Sequence, residues 1–147
     1  MIVFPNGKIN IGLNIIAKRD DDYHDLESVF YPVPTRDVLE VTPANQFQFS
    51  TYGIPVPGLK EKNLCIRAFS SLQRLFPELD EVEIILYKNI PPGAGMGGGS
   101  SDGAFALKLL NLYYNLNLSD DQLRKLASEL GSDCPFFIQN GPAWVQG

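Results

Sequence analysis

A glycine-rich segment at residues 91–102 constrains this chain more than any other part of its sequence. It reads Pro-Pro-Gly-Ala-Gly-Met-Gly-Gly-Gly-Ser-Ser-Asp and joins a strand-like apolar run, residues 82–87, to a helix-like run that begins near Asp102. Its five glycines can adopt positive φ angles and have no Cβ atoms, so successive N–H groups can turn toward one anion. Two serines where the helix begins add hydroxyls beside the positive end of the helix dipole. The segment therefore predicts a phosphate-binding loop, formed by Pro91, Gly93, Ala94, Gly95, Met96, Gly97, Gly98, Gly99, Ser100 and Ser101.

Other interpretations of this loop agree less well with the sequence around it. A flexible linker seldom joins a buried strand to an amphipathic helix. Gly93, Gly95 and Gly98 satisfy the spacing of a dinucleotide-binding turn, but no strand that ends in an acidic residue follows about 20 residues later. The chain also lacks a Lys-Ser or Lys-Thr pair after the glycines and the His-Arg-Asp and Asp-Phe-Gly motifs of protein kinases, which excludes a Walker A loop and a protein kinase.

Length and charge limit the remaining function classes. A chain of 147 residues fits one domain with its own core. Its net charge of −5 disfavours unaided binding to nucleic acid or to an anionic membrane. Two cysteines, Cys65 and Cys134, stand far apart outside any C-x-x-C spacing, which is typical of a reduced, cytoplasmic protein without disulfides. With a single His and these separated cysteines, we expect no zinc site.

Hydrophobic periodicity predicts one α+β domain. Strands are predicted at residues 9–16, 38–42, 46–51 and 82–87, with the first three in an antiparallel sheet, and at residues 136–138 and 143–145. Helices are predicted at residues 63–76, at 103–115, and from a Ser119–Gln122 capping box to Leu130. Residues 54–62 are predicted to form a loop.

Four motifs in this order resemble the GHMP kinases, specifically their amino-terminal domain. They are Lys8-Ile9-Asn10, Tyr23-His24, the glycine loop, and Gly131-Ser132-Asp133-Cys134-Pro135-Phe136-Phe137. The resemblance covers the whole chain and is strongest to a branch whose alcohol substrate carries a cytidine diphosphate group. It implies the fold of ribosomal protein S5 domain 2, a mostly antiparallel sheet with helices on one face. It also implies ATP and Mg²⁺ as cofactors, and a carboxy-terminal domain that this chain does not include.

The resemblance assigns catalytic roles to Lys8 and Asp133. Asp133 would accept or orient the substrate proton, while Lys8 would keep that carboxylate ionised and balance charge on the transferring group. Read from the residues alone, Asp133 is equally explained as a turn residue at a helix end and Lys8 as a surface amine. A buried carboxylate, however, requires a charged or hydrogen-bonding partner.

Ligand contacts are implied at five further residues. Tyr23 and His24 would stack on cytosine and hydrogen-bond to it, although a charged turn ended by two half-buried rings explains them as well. Asn10 would contact the alcohol part of the substrate, or else is an amide on an edge strand. Asn63 and Lys88 would border the adenine pocket, although exposed residues of these types are common.

The sequence therefore predicts an ATP-dependent small-molecule kinase and singles out no residue as a metal ligand. Two alternatives remain at this point. One is another GHMP kinase that acts on homoserine, a sugar or mevalonate, and the Tyr23-His24 pair distinguishes it from the first. The other is a nucleotide-binding module without catalysis.

Overall fold

A computed structural model describes residues 1–18 and 24–146 of the chain. Within these ranges, strands and helices follow one another as β1 (Ile2–Val3), β2 (Asn6–Lys18), β3 (His24–Arg36), β4 (Val38–Pro43), β5 (Gln48–Gly53), α1 (Leu64–Leu75), β6 (Val82–Lys88), α2 (Gly98–Tyr113), α3 (Asp120–Leu130), α4 (Cys134–Gln139) and β7 (Ala143–Gln146), with a short 3₁₀ turn at Lys60–Lys62 before α1. In this part of the chain, no helix combines the length and hydropathy that a membrane crossing requires.

The core lies between one four-stranded sheet and the helices. The strand order is β1-β4-β6-β5. Alternate residues of β4 and β6 point inward, so that Leu39, Val41, Val82 and Ile84 are fully buried against residues of the four helices. The opposite face of the same strands is half-buried or exposed. This arrangement confirms the predicted α+β class with helices on one face.

A second sheet has the order β2-β3-β7 and carries the amino-terminal part of the candidate site. Four of the five strand pairs in the two sheets are antiparallel, as predicted. The expectation that residues 9–16, 38–42 and 46–51 share one antiparallel sheet was wrong, because β2 belongs to the second sheet and β5 pairs with β6 in parallel. Strand β3, at residues 24–36, was not predicted.

Two further predictions near the site were wrong. Residues 136–138 form part of helix α4 rather than a strand, because Pro135 occupies the first turn, where its missing N–H costs no hydrogen bond. Helix α2 begins at Gly98 rather than near Asp102. Glycine is a poor helix former, but a side chain at Gly98 would lie only 2.8 Å from Ile90, so close packing requires glycine there.

Helices α1 and α3 agree with the sequence. The side chain of Asn63 caps α1 by accepting a 2.9 Å bond from the N–H of Cys65. Ser119 and Gln122 form the predicted capping box of α3, and Gly131 follows its last residue.

Candidate active site

The glycine loop connects the end of β6 to the start of α2. Gly93, Gly95 and Gly97 have φ angles of 78°, 73° and 65°, values at which other residues are strained. No atom within 4 Å would contact a Cβ at Gly93 or Gly95, so the loop leaves open space above its backbone. The carbonyl of Met96 accepts a 2.8 Å bond from the N–H of Lys8. This bond ties the far end of the loop to strand β2.

The start of α2, next to the loop, leaves several hydrogen-bond donors without partners in the helix. Gly97 is the N-cap in a left-handed conformation, and the first helical bond runs from the N–H of Ser101 to its carbonyl, at 2.8 Å. The N–H groups of Gly98, Gly99 and Ser100 precede that bond and have no intrahelical acceptor. The Ser101 hydroxyl is buried without a hydrogen-bond partner. Donors of this kind at a helix N-terminus can bind an anion.

A pocket of about 520 Å³ opens on one side of the loop. Its walls come from β5, the 54–63 segment and the first turns of α1 and α2, including Phe49, Val56, Asn63, Leu64 and Gly99. A pocket that is mostly apolar with a few polar groups suits a flat heterocyclic base. Asn63, which was predicted to border the adenine pocket, lines this cavity, and its amide oxygen is already used as a helix cap.

Lys8 and Asp133 meet on the other side of the loop. The Lys8 ammonium lies 3.5 Å from Asp133 Oδ2 and 2.5 Å from Asn10 Oδ1. It also lies 4.2 Å from the centre of the Phe30 ring, where a cation is attracted to the π face. Lys8 is 5% exposed, so it is not a surface amine. Its stem passes so near to Gly97 that a Cβ there would be 3.3 Å from Lys8 Cε.

Helix α4 holds Asp133 in place without using its carboxylate. Asp133 is the N-cap residue of α4 but makes no side-chain cap bond, and its side chain is 33% exposed. The ring of Phe137 in this helix packs against Gly97, and Lys108 of α2 donates a 3.0 Å bond to the carbonyl of Ile138. These contacts fix α4 against α2, so Asp133 keeps one carboxylate edge open beside Lys8.

Lys88 lies beneath the loop in a buried charge cluster with Asp37 and Asp102. Its ammonium lies 2.5 Å from Asp37 Oδ2 and 2.7 Å from Asp102 Oδ2. A cavity of about 70 Å³, lined also by Asn63 and Gly99, adjoins Lys88 and Asp102. Lys88 was predicted as a residue at the border of the adenine pocket, and it lines this cavity while being only 3% exposed.

Burial and charge shift the proton affinities within the buried charge cluster. Burial alone lowers the pKa of Lys88, but its attraction to Asp102 and its hydrogen bonds outweigh this, so the pKa stands above its ordinary value. Burial raises the pKa of Asp102 to about 8, aided by Asp37 and opposed by Lys88. Nothing in the sequence indicated roles for Asp37 or Asp102, since an isolated Asp at a strand start or in a first helical turn is ordinary.

The two residues predicted to contact cytosine, Tyr23 and His24, lie at or beyond the edge of the described ranges. Tyr23 lies outside the described residues, and only the backbone of His24, the first residue of β3, is described. Asn10 is brought to Lys8 as stated above. Within the described ranges, no group of three or more His, Cys, Asp or Glu side chains could hold a metal ion.

A comparison of the sequence with protein-family models identifies the family of this chain. The description "GHMP kinases N terminal domain" belongs to a family model that matches residues 63–141, more than half of the chain. The chain belongs to this family. The matched region contains the glycine loop and Asp133, while Lys8 lies on a strand that precedes it.

Curated relatives are similar in sequence to this chain over its whole length. A Parabacteroides distasonis 4-diphosphocytidyl-2-C-methyl-D-erythritol kinase is 50% identical over 147 residues, 100% of this chain and 54% of that protein. The Bacteroides thetaiotaomicron enzyme of the same name is 52% identical over 151 residues and is covered to 55%. This GHMP kinase domain therefore spans about half the length of the curated relatives that it matches.

Two solved structures of kinases have the same fold as this chain. A crystal structure of 4-(cytidine 5′-diphospho)-2C-methyl-D-erythritol kinase superposes with a TM-score of 0.84 at 35% identity, over 100% of this chain and 52% of that one. Streptococcus pneumoniae phosphomevalonate kinase, in complex with phosphomevalonate and AMPPNP, superposes at 0.74 with 15% identity over 100% of this chain and 50% of that one. The second similarity shows a shared fold alone.

Proposed function

We propose that this chain is the ATP-binding half of a kinase that phosphorylates the 2-hydroxyl of 4-diphosphocytidyl-2-C-methyl-D-erythritol, a step of the non-mevalonate route to isoprenoids. The observation that carries the proposal is the Lys8–Asp133 pair, held at 3.5 Å beside the N-terminus of α2. An acid–base group and a phosphate cradle thus border the same space. The names of the relatives at 50% and 52% identity support the choice of substrate.

The residues divide the work of phosphoryl transfer among three places. ATP supplies the γ-phosphoryl group when it is bound. The apolar pocket beside Asn63 receives the base, and the N–H groups at the start of α2 hold the phosphates. Asp133 accepts the proton of the substrate hydroxyl and directs that oxygen toward the phosphorus. Lys8 keeps Asp133 ionised and balances the charge that develops on the transferring group.

The residues fit ATP better than they fit a resident metal ion. The open backbone of Gly93 and Gly95, together with the unpartnered Ser101 hydroxyl, forms a cradle that a phosphate can fill. The described residues offer no acidic cluster for a cation, so we propose that Mg²⁺ enters with the nucleotide and is held mainly by its phosphates.

Substrate recognition is proposed to use Asn10, Tyr23 and His24, with Asn10 on the alcohol part and the ring pair on cytosine. We also propose that the active enzyme includes a second, carboxy-terminal domain, because the relatives are about twice as long as this chain. That domain would complete the substrate wall. We further propose a cytoplasmic location, which the two free thiols of Cys65 and Cys134 support, because a reducing compartment preserves thiols.

A phosphate-transfer assay on the full-length protein tests this function. With Mg²⁺ and ATP, we expect turnover of 4-diphosphocytidyl-2-C-methyl-D-erythritol with a kcat/KM at least 100-fold above the values for homoserine, mevalonate and galactose. Preferred turnover of one of those three would assign the chain to a different small-molecule kinase. ATP binding without turnover of any alcohol would leave only a nucleotide-binding module.

A further inference from the structure

We propose that the buried charge cluster of Asp37, Lys88 and Asp102 is a clamp that sets the geometry of the glycine loop, and that Asp37 and Asp102 are positioning residues for nucleotide binding. The part that concerns nucleotide rests on the proposed function. The part that concerns the loop rests on the contacts of the cluster alone.

The first half of the clamp is at the loop entrance. Asp37 Oδ1 accepts bonds from the N–H groups of Asn89, at 2.6 Å, and Ile90, at 2.8 Å. Its other oxygen, Oδ2, accepts from Lys88 Nζ at 2.5 Å. One fully buried carboxylate thus binds three consecutive residues at the end of β6, where the chain leaves the sheet.

The second half of the clamp is at the loop exit. Lys88 Nζ donates a 2.7 Å bond to Asp102 Oδ2 in the first turns of α2. The ammonium lies directly against the start of the helix, because a Cβ at Gly98 would be 3.3 Å from it. The junction between β3 and β4, the end of β6 and the start of α2 are therefore joined through one nitrogen atom.

The glycine loop has little packing at residues 93–95, although its far end is bonded to Lys8 and packs against Phe137. A Cβ at Gly93 or Gly95 would contact nothing within 4 Å, and the backbone bond from Ala94 to Pro91 is long, at 3.3 Å. Residues 93–95 are therefore held by few contacts of their own, and residues without contacts retain conformational entropy. The distance between the two ends, which the buried charge cluster sets, determines how the N–H groups converge.

The charge balance of the cluster predicts a dependence on pH. Two carboxylates face one ammonium, and Asp102 Oδ1 is buried without a partner. The groups that face Asp102 are Lys88 from β6, Asp37 from the junction between β3 and β4, and the Cys65 thiol from α1, whose own pKa is raised by burial. While Asp102 holds a proton, the cluster is neutral; once it ionises, near pH 8, a net negative charge lies below a loop that binds an anion. Nucleotide affinity should then fall.

Four variants and two measurements test the clamp. Asp37→Ala removes the bonds that Asp37 accepts from Lys88 and from the two N–H groups. Asp37→Asn keeps an oxygen that can accept from those N–H groups, and Asp102→Asn imitates the protonated state of Asp102. Glu81→Gln is the matched control, because Glu81 Oε2 is also buried and unpartnered but precedes β6, at the end opposite the loop. Amide hydrogen exchange of residues 89–101 reports loop order without nucleotide, and calorimetry gives the ATP Kd from pH 6.5 to 9.5. Thermal melting confirms folding of each variant.

The clamp predicts a distinct pattern across these variants. Exchange at residues 89–101 should accelerate at least 10-fold in Asp37→Ala, recover partly in Asp37→Asn and stay unchanged in Glu81→Gln. The ATP Kd of the unaltered chain should rise at least fivefold from pH 7 to pH 9.5, and this rise should disappear in Asp102→Asn. Exchange in Asp37→Ala equal to that of Glu81→Gln, or a pH dependence that persists in Asp102→Asn, would overturn the proposal. If loop exchange follows the prediction but no variant binds ATP, the clamp stands and the proposed function fails.

Discussion

Among single residues, Lys8 shows most clearly how burial separates a functional group from a surface charge. A lysine in a strand is ordinarily solvated, but this one is 5% exposed. A structural ion pair of this kind gives little net stability, since desolvation offsets the attraction. The open edge of Asp133 beside it therefore points to chemistry more than to folding.

Loss of either member of this pair should affect turnover far more than stability. We expect Lys8→Met, which keeps the aliphatic stem, and Asp133→Asn each to lower kcat of the full-length protein by about 100-fold or more, as when a positioned acid–base or electrostatic group is lost. Lys125→Met and Asp121→Asn, at exposed positions of α3, are the matched controls. Steady-state kinetics and melting temperatures provide the test. Near-normal kcat in either site variant would remove its assigned role.

Asp102 should make stability fall as pH rises. Its pKa is raised to about 8 in the folded chain from 3.8, so between these values the native state keeps a proton that the unfolded state has released. Its contribution is complete below about pH 4 and is lost as pH rises toward 8, by at most about 1.4 kcal/mol per pH unit. Urea unfolding of Asp102→Asn and of the unaltered chain should therefore show a difference in stability that grows from pH 5 to 8 and then levels. A constant difference would contradict the shift.

Among the helices and strands, the sequence predicts correctly the elements whose capping residues and hydrophobic periodicity agree with their packing in the structure. The capping box of α3 and the Asn63 cap of α1 are local, so both helices were found. Strand β3 was missed because Pro32 and Pro34 argue against a strand. The structure tolerates them, since β7 pairs with β3 only along Glu27–Phe30, and both prolines lie beyond that pairing. A short apolar run such as residues 136–138 has no periodicity that distinguishes strand from helix.

The same limit applies to the candidate site. Lys8, Asp133 and the loop stand in recognisable motifs, so the sequence indicated them. Asp37 and Asp102 contact Lys88, which lies 51 and 14 residues away from them in the sequence, and no local pattern predicts such distant contacts. The position of Lys88 beneath the loop, rather than exposed at a pocket rim, follows from those same two carboxylates.

The start of α2 offers two neighbouring glycines with opposite expectations. A Cβ at Gly98 would lie 2.8 Å from Ile90, whereas one at Gly99 would contact nothing within 4 Å. Gly98→Ala should cost about 1–3 kcal/mol through overpacking, while Gly99→Ala should be neutral or stabilise α2 by up to about 1 kcal/mol. Because Gly99 lines the pocket, Gly99→Ala should still weaken ATP binding. Denaturant unfolding and calorimetry separate the two effects; equal stability losses would show that the contact at Ile90 relaxes.

The molecule as a whole combines a closed core with one open apolar face. On the second sheet, Ile9, Ile11, Tyr31 and Trp144 are between 43% and 63% exposed. Ile9 lies opposite Tyr31, and Val29 lies between Ile11 and Trp144 across the strands, so these side chains share one face. Exposed apolar patches of this kind favour association. We therefore expect residues 1–147 to self-associate at high concentration, as followed by sedimentation velocity.

The isolated chain of residues 1–147 should fold but turn over substrate slowly. The four helices and the four-stranded sheet bury one continuous apolar cluster, so the isolated chain should melt cooperatively. Its turnover should nevertheless be low, because we propose that part of the substrate wall comes from a second domain, and positioning supplies much of the barrier reduction in phosphoryl transfer. We expect residues 1–147 alone to have a kcat/KM below about one-hundredth of that of the full-length protein. This is a loss of about 2.7 kcal/mol in transition-state stabilisation. The isolated chain and the full-length protein should be assayed at the same concentration, one low enough to prevent self-association. Full activity from residues 1–147 would show that this half holds every group that the reaction requires.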